Sequence, residues 1–490
     1  MSDETLLNAL ASFEHARVLV LGDVMLDRFV YGSVERTSPE APVPVLALGR
    51  TSDMPGGAAN VARNVVALGA RVQLLGVVGE DATGAQLRTH LAALANLQAQ
   101  LVADAGRPTT TKTRYVADRQ QILRTDLENC GPLAAAVAEA VLARFRAALA
   151  DTDVVILSDY NKGVLNAAVT AAAIAAARSA GKPVLVDPKG RSFEKYRGAT
   201  VLTPNKQELQ GACGHDCTSD EQVIEAARSV LAQGICSTVV ATRGKEGMTI
   251  VQADGRAQHI RTVATEVYDV TGAGDTAVAA MAVSLAAGAD ISAAARLANI
   301  AAGIAVGKYG TATASGDEIL ERLRSADDGG TAESNYTLER ARLLAAHWRR
   351  LGLKVAFTNG CFDMLHPGHV SLLTQARHTA DRLVVGLNSD ASVRRLKGAG
   401  RPVHSAGARA LVLASLRHVD AVVIFEEDTP LGLIQALEPD VLVKGADYTV
   451  ATVVGADLVL KRGGRVVLAE LLPAHSTTET IRRMTAGGKA

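Results

Sequence analysis

The sequence reads as an α/β protein in two parts, each a parallel sheet with helices packed on it, the larger part first and carrying a small β lid. Three observations lead there. Short apolar runs ending in Gly or a polar residue alternate with helix-length stretches from residue 18 to about residue 306, the pattern of right-handed βαβ units. A segment rich in β-branched residues, 109–125, interrupts that alternation. A second α/β series restarts at Lys354, after a polar, glycine-containing stretch without periodicity at 325–337. The boundaries this implies are a first domain at 1–324, a linker at 325–337 and a second domain at 338–490. With 490 residues the chain suffices for two or three domains, at roughly 100–200 residues each.

Residues 18–22, an apolar run ending in Gly22, have the look of a buried parallel strand. Asp23 and Asp27 follow it, at the carboxyl end where open α/β sheets bind their ligands. Residues 39–48 look extended. Pro55-Gly56-Gly57-Ala58-Ala59-Asn60 is a glycine pair opening a helix that runs to about Leu68. The glycines would let a ligand lie against the backbone and Asn60 could bond sugar hydroxyls, although a plain helix-entry turn explains the pattern too. A strand at 72–78 and a helix at 83–95 come next.

Residues 109–116 and 120–125 form a hairpin that turns at 118–119, outside the main repeat. Lys112, Arg114, Arg119 and Arg124 make it basic, which suits a lid over a phosphorylated substrate as well as a solvated edge strand. Strands at 154–157, 184–186, 201–202 and 238–241 end in Ser158-Asp159, Asp187-Pro-Lys189, Thr203-Pro-Asn205 and Thr242-Arg243-Gly244, with helices at 167–180 and 219–233 among them. One polar strand end could be a cap; four suggest a lined crevice. Glu208, a turn beyond Asn205, could hold Mg²⁺ through water, since that ion takes few carboxylates and keeps several waters.

The first part is organised around Val270-Thr271-Gly272-Ala273-Gly274-Asp275-Thr276. Its glycines allow several amides to converge on one point, and the apolar run at 277–287 reads as a helix starting there. Such a helix start is an anion site, and Asp275 stands where it could take a proton from a hydroxyl while the amides hold a transferring phosphoryl group. A structural turn and helix cap is the alternative. A dinucleotide fingerprint fits poorly, because a second helical stretch at 291–306 follows instead of a strand ending in an acid. No Gly-x4-Gly-Lys-Ser/Thr loop occurs.

Composition removes several classes of function. Lys plus Arg equals Asp plus Glu at 51 each, so no global field favours nucleic acid or an anionic membrane, and any phosphate binding is local. Aromatic residues are only 3%, which leaves little for base stacking. Five scattered cysteines suggest free thiols in a reducing cytoplasm. Cys213-x3-Cys217 with His215 lacks a second ligand pair for zinc. The start of the chain does not read as a signal peptide, and no apolar run reaches the roughly 18 residues a membrane span needs. The expected protein is soluble and cytoplasmic.

In the second part, a strand from Lys354 feeds Asn359-Gly-Cys-Phe-Asp363 and then His366-Pro-Gly-His369 at the start of a helix. Two imidazoles at a helix N-terminus suit the phosphates of a nucleoside triphosphate and the charge that develops as pyrophosphate leaves. A metal pair or simple capping are the other readings. Arg394, Arg395 and Lys397 supply local positive charge, Arg409 opens a helix, and Ser476-Thr477-Thr478 caps the last expected helix.

Two resemblances follow from these residues. Gly56-Gly57-Ala58-Ala59-Asn60, Thr203-Pro-Asn205 with Glu208, and Asp269-Val-Thr-Gly-Ala-Gly-Asp275, in that order, resemble the ribokinase family of sugar kinases. The resemblance implies a ribokinase-like sheet with helices on both faces and Asp275 as the base. Gly272, Ala273 and Gly274 would hold the phosphate. Asn205, Lys206, Gln207 and Glu208 would lie near ATP and Mg²⁺, with Thr242, Arg243, Gly244 and Asn299 also at the nucleotide. Asp23, Asp27, Gly56, Gly57, Asn60, Lys112, Arg119 and Asp187 would face the sugar. The His-x-Gly-His box resembles the cytidylyltransferase-like nucleotidyltransferases over about 350–485. It implies a Rossmann-like domain with His366 and His369 catalytic, and Thr358, Asn359, Phe362, Lys397, Arg409, Ser476, Thr477 and Thr478 at ATP. Ala474-His475 stands where that family usually has Gly-Ile.

The two parts in this order resemble the family of bifunctional heptose enzymes of lipopolysaccharide-core synthesis, through Gly22-Asp-Val-Met-Leu-Asp27, Ser158-Asp-Tyr160 and Val443-Lys-Gly-Ala-Asp-Tyr448. That resemblance implies phosphorylation of D-glycero-β-D-manno-heptose 7-phosphate at O1 with ATP, then adenylyl transfer from ATP to heptose 1-phosphate, giving ADP-heptose and pyrophosphate. A separate phosphatase would act between the steps. It also implies a homodimer through the lid hairpin, with neither nucleic acid nor membrane as partner. On the residues alone, another sugar kinase fused to a CTP-using transferase stays open.

Overall fold

The computed structural model describes residues 3–117, 120–262, 269–308, 311–327, 335–350, 352–398, 400–446 and 448–470. The chain divides into two compact units, Met1–Arg322 and Leu323–Ala490. Among the described residues, the first unit holds a nine-stranded and a four-stranded sheet and the second a six-stranded one.

In the first unit the main sheet consists of β1 (Arg17–Gly22), β4 (Arg71–Gly79), β5 (Leu97–Asp104), β8 (Val154–Ser158), β9 (Val184–Asp187), β10 (Ala199–Leu202), β11 (Cys236–Thr242), β12 (Met248–Gln252) and β13 (Ala257–Ile260). Their spatial order is β13-β12-β11-β10-β9-β8-β1-β4-β5. All pairs are parallel except β11 with β12 and β12 with β13. The central strands are continuous apolar runs, such as Val-Val-Ile-Leu-Ser in β8 with every residue buried, as a sheet covered on both faces requires. Leu21, Leu157, Phe145, Ile174 and Val186 belong to one core cluster.

Helix starts follow local capping chemistry. The Asn166 side chain accepts from the Val169 amide ahead of the helix Ala167–Ser179, and Ser219 and Gln222 form a reciprocal box ahead of Asp220–Ala232. The helix Ala273–Ala286 is buried on nearly every side from Thr276 to Ser284. Its small side chains let it pack against both Ala58–Ala67 and Ile291–Val306.

The second sheet of this unit differs from the sequence expectation. It has four strands in the order β3-β2-β6-β7: β2 (Val24–Thr37), β3 (Pro44–Gly57), β6 (Thr111–Ala117) and β7 (Gln120–Leu127). The hairpin is therefore half of the lid, and the other half is a 14-residue pair that includes Asp27 and ends at Gly56-Gly57. Gly56 and Gly57 close a strand rather than make a separate turn. Gly57, at φ +58°, caps the helix Ala58–Ala67, and a Cβ on Gly56 would stand 2.0 Å from Asp27 Oδ2.

The second unit has β14 (Asn335–Tyr336), β15 (Val355–Gly360), β16 (Arg382–Asn388), β17 (Ala421–Phe425), β18 (Val441–Gly445) and β19 (Arg465–Ala469), all parallel in the order β14-β17-β16-β15-β18-β19. Regular structure reaches into both ends of the expected linker: the helix Gly316–Asp327 enters it and β14 closes it. Leu373, Leu383, Val385, Val422 and Val443 anchor this unit's core.

Candidate functional site

Asp275 lies in the first turn of the helix Ala273–Ala286, whose N-cap Gly272 takes the left-handed conformation at φ +82°. Both carboxylate oxygens are held. Asn60 Nδ2 donates to Oδ2 at 2.6 Å, and the Tyr160 hydroxyl donates to Oδ1. Asn60 is positioned in turn, since Arg63 Nη1 donates to its Oδ1 at 3.2 Å and its carbonyl accepts from Asn64 Nδ2 at 2.9 Å. Burial pushes the Asp275 carboxyl up from the ordinary carboxylate range, against the pull of Tyr160 and Asn60. A buried carboxylate with a raised pKa beside a helix N-terminus can take a proton from a hydroxyl near neutrality. Asn60, expected to meet a sugar, instead orients this acid.

Asp23 requires a similar correction. It is 1% exposed, and its carboxylate accepts the backbone amides of Tyr160 (2.9 Å), Lys162 (3.0 Å) and Val164 (3.1 Å). Its hydrogen-bonding capacity holds a loop rather than a sugar. Asp27 takes Arg114 Nη1 at 2.6 Å across the β2–β6 pair, and Lys112 sits 5.9 Å from the centre of the Tyr160 ring, its ammonium pulled down by burial. These groups bring the basic face of the lid to the same end of the sheet as Asp275. Arg119 lies outside the described residues.

A pocket of about 840 Å³, ample for a nucleotide, opens beside the helix start. Ala273, Gly274, Thr203, Asn205, Glu208, Thr242, Gly244 and Asn299 line it, with an aliphatic wall of Ala277, Val278, Ala302 and Val306. Asp187, expected on the sugar side, lines this pocket too. Burial pushes the Asp187 carboxyl well up, and the charges of Asp275 and Glu208 push it further. Asn205 and Glu208 cap their helix reciprocally at 2.9 and 3.0 Å, while Glu208 Oε1 accepts Lys189 Nζ at 2.7 Å.

Two residues expected at ATP are occupied elsewhere, and a third lies beside the pocket rather than in it. Lys206 Nζ bonds Glu246 at 2.9 Å, and Gln207 lines an adjoining depression with Arg191 and Gln210. The buried Arg243 guanidinium pairs with Asp220 at 2.5 Å and Glu246 at 3.1 Å. A buried arginine needs carboxylates, and its neighbours in the fold supply them.

In the second unit His366 caps the helix Pro367–His378, and its ring stacks on His369 with centroids 3.7 Å apart. His369 also meets Phe362 at 5.0 Å, and Phe362 takes a left-handed conformation at φ +41°. Burial, then His366 and Lys397, push the His369 imidazole down to about 4, so it is neutral at pH 7. Thr358 Oγ1 and Asn359 Oδ1 at the end of β15 are buried without hydrogen-bond partners among the described residues. Such orphaned atoms mark where a polar ligand belongs.

Arg409 is the correction here. Its guanidinium donates to the carbonyls of His404, Cys361 and Asn388 and to Asp390, so it fastens loops together and has little left for a phosphate. Ser476, Thr477 and Thr478 lie outside the described residues. Sequence reasoning missed Tyr160 in the first unit as a site residue, and Asp363 in the second. The Asp363 carboxylate receives Arg401 and the Val403 amide (2.6 Å), fastening one loop beside the imidazoles. The signal for Tyr160 was its place just past the polar end of a strand.

The model of the pfkB family of carbohydrate kinases matches residues 15–318, and a cytidylyltransferase-like model matches residues 357–482. A protein of Rhodospirillum rubrum named "Bifunctional protein HldE" is 52% identical, with 98% of this chain and 97% of that protein covered. One of the same name from Mesorhizobium japonicum is 54% identical over 99% and 98%. Among solved structures, Arabidopsis thaliana ribokinase complexed with ribose and ATP is similar at a TM-score of 0.51 and 21% identity, covering 63% of this chain and 99% of that one. Escherichia coli phosphofructokinase-2 in complex with substrates and products is similar at 0.54 and 21%, covering 64% and 100%.

Proposed function

The chain belongs to the HldE family of bifunctional proteins, a pfkB family carbohydrate kinase continued by a cytidylyltransferase-like unit, and from that premise we propose the two reactions below and the residues that perform them. The first unit phosphorylates D-glycero-β-D-manno-heptose 7-phosphate at O1 with ATP. The second transfers AMP from ATP to heptose 1-phosphate, giving ADP-heptose and pyrophosphate. A phosphatase on another chain removes the 7-phosphate between the two steps.

The single observation that carries the kinase reading is Asp275, half-buried, held at both oxygens and set at the helix start that borders the 840 Å³ pocket. Asp275 takes the proton of the anomeric hydroxyl as O1 attacks the γ-phosphorus of ATP. ADP leaves, and the amides at the start of Ala273–Ala286 hold the charge of the transferring group. Asn205, Glu208, Thr242, Gly244 and Asn299 hold the nucleotide, while Asp27, Lys112 and Arg114 meet the sugar phosphate. Mg²⁺ is supported by the acidic wall of this pocket, where Glu208 and Asp187 repel each other and a cation would relieve that repulsion. Glu208 would hold it through water, and the ion would neutralise charge on the phosphates.

In the second unit the phosphate of heptose 1-phosphate is already a nucleophile, so no protein base is needed. His366 and the neutral His369 donate to the α-phosphate and Lys397 adds charge, stabilising the leaving pyrophosphate. We also propose a homodimer through the lid, where Ile122, Leu123 and Leu127 on β7 are 42%, 54% and 58% exposed; light scattering at the mass of one chain would exclude it. Work in the cytoplasm is supported by five free cysteines, and among the described residues no helix is long and apolar enough to cross a membrane.

Product analysis with ATP and heptose 7-phosphate tests the whole reading. The bisphosphate alone is expected without a 7-phosphatase, and ADP-heptose with one. Absence of the bisphosphate overturns the sugar assignment, and faster second-step turnover with CTP than with ATP overturns the adenylyl assignment.

A further inference from the structure

The loop that follows β8 is pinned far more firmly than a connection needs to be. Three of its amides, from Tyr160, Lys162 and Val164, converge on the Asp23 carboxylate. Asp159, next along the chain, accepts Lys195 Nζ at 2.5 Å, the Tyr196 hydroxyl at 2.7 Å and the Asn161 amide at 2.7 Å. Asn161 and Gly163 both take left-handed backbone, at φ +58° and +94°, which turns alternate amides to the same side. A Cβ on Gly163 would stand 2.1 Å from the Gly131 carbonyl oxygen, so the path is fixed sterically as well. What this rigid loop delivers is one side chain, the Tyr160 hydroxyl on Asp275 Oδ1.

Resting on the kinase reading above, we propose that Tyr160 is a positioning residue for the phosphoryl-transfer base, holding Asp275 ionised and fixed in orientation through a hydrogen bond whose donor cannot wander. The two donors on Asp275 are not equivalent. The Asn60 amide nitrogen can only donate, whereas a hydroxyl can also accept, so Tyr160 can stay bonded to Asp275 once that acid has taken the sugar's proton. Burial together with the charges of Asp275 and Asp187 keeps the phenol protonated, so it remains a donor over the working pH range. The other groups that face Asp275 are Asp27 on β2 and Lys112 on β6, acting in opposite senses, and Asp187 at the end of β9. Removing a donor from a charged carboxylate favours its protonated form, so the pKa of the base rises.

The test is the pH profile of kcat for the kinase step in the full-length Tyr160→Phe protein, with adenylyl transfer by the same preparation as the control for folding. The acid limb is expected to move up by about one to two pH units, with kcat reduced at pH 7 and adenylyl transfer unchanged. An acid limb at the wild-type position overturns the proposal. If Tyr160→Phe does not fold, 3-fluorotyrosine at position 160 replaces it. The more acidic phenol is the stronger donor and is expected to move the limb down, and no movement overturns the proposal. Asp275→Asn separates the two levels of argument, because phosphorylation that survives it refutes Asp275 as the base, whatever Tyr160 does, while absence of phosphorylation in the unaltered protein refutes the kinase reading itself.

Discussion

At the scale of single residues, the second unit depends on a histidine that is neutral under working conditions. The His369 imidazole is pushed down to about 4 in the folded protein, while the unfolded chain titrates near 6.5. Between those values the unfolded state binds the extra proton, so stability falls as pH drops through that window and levels off below it. The denaturant midpoint followed by the fluorescence of Trp348, the one tryptophan of the chain and buried in the second unit, is expected to decline from pH 7 to pH 4, and His369→Gln to remove that part of the decline. A midpoint slope identical in the two proteins would contradict the assignment. Arg243 and Arg409 show the converse at this scale. Each is a cation near a nucleotide site by sequence, and each is spent on carbonyls and carboxylates of its own fold.

Among the elements, the four-stranded lid is the sugar side in the proposed mechanism, and its anchor is the Arg114–Asp27 pair, with side chains 15% and 9% exposed. Arg114→Ala leaves a nearly buried carboxylate without its partner, at a local cost of about 3 kcal/mol. The expected result is a raised KM for the sugar phosphate with little change in KM for ATP; equal increases in both would place the pair elsewhere in the mechanism. This lid was only partly legible in the sequence. The hairpin β6–β7 announced itself through its β-branched residues, but β2 did not, because Asp27, Arg28 and Glu35 broke its apolar pattern and Asp23 drew attention to the end of β1. The helix at Asp275 was legible for the opposite reason: glycine, alanine, glycine and acid are adjacent, so the motif is local. Asn60 and Tyr160 meet that acid across 215 and 115 residues of sequence, and no local pattern encodes such a meeting.

For the whole molecule, two chemistries on two compact units imply separable losses. Asp275→Asn is expected to lower phosphorylation by 10²-fold or more, on the order of a general base's contribution, and to leave adenylyl transfer intact, with His369→Ala giving the reverse. Assaying both reactions on each variant checks this, and loss of both from either change would contradict independent sites. The three-way meeting at Asp275 also has a consequence in time. During synthesis the Asn60 and Tyr160 donors emerge long before the acid they hold, so a nascent chain of some 250 residues carries most of the first sheet and no base. The kinase site comes into being only when the helix Ala273–Ala286 docks against residues already folded, which makes that docking the moment at which the emerging chain first becomes an enzyme.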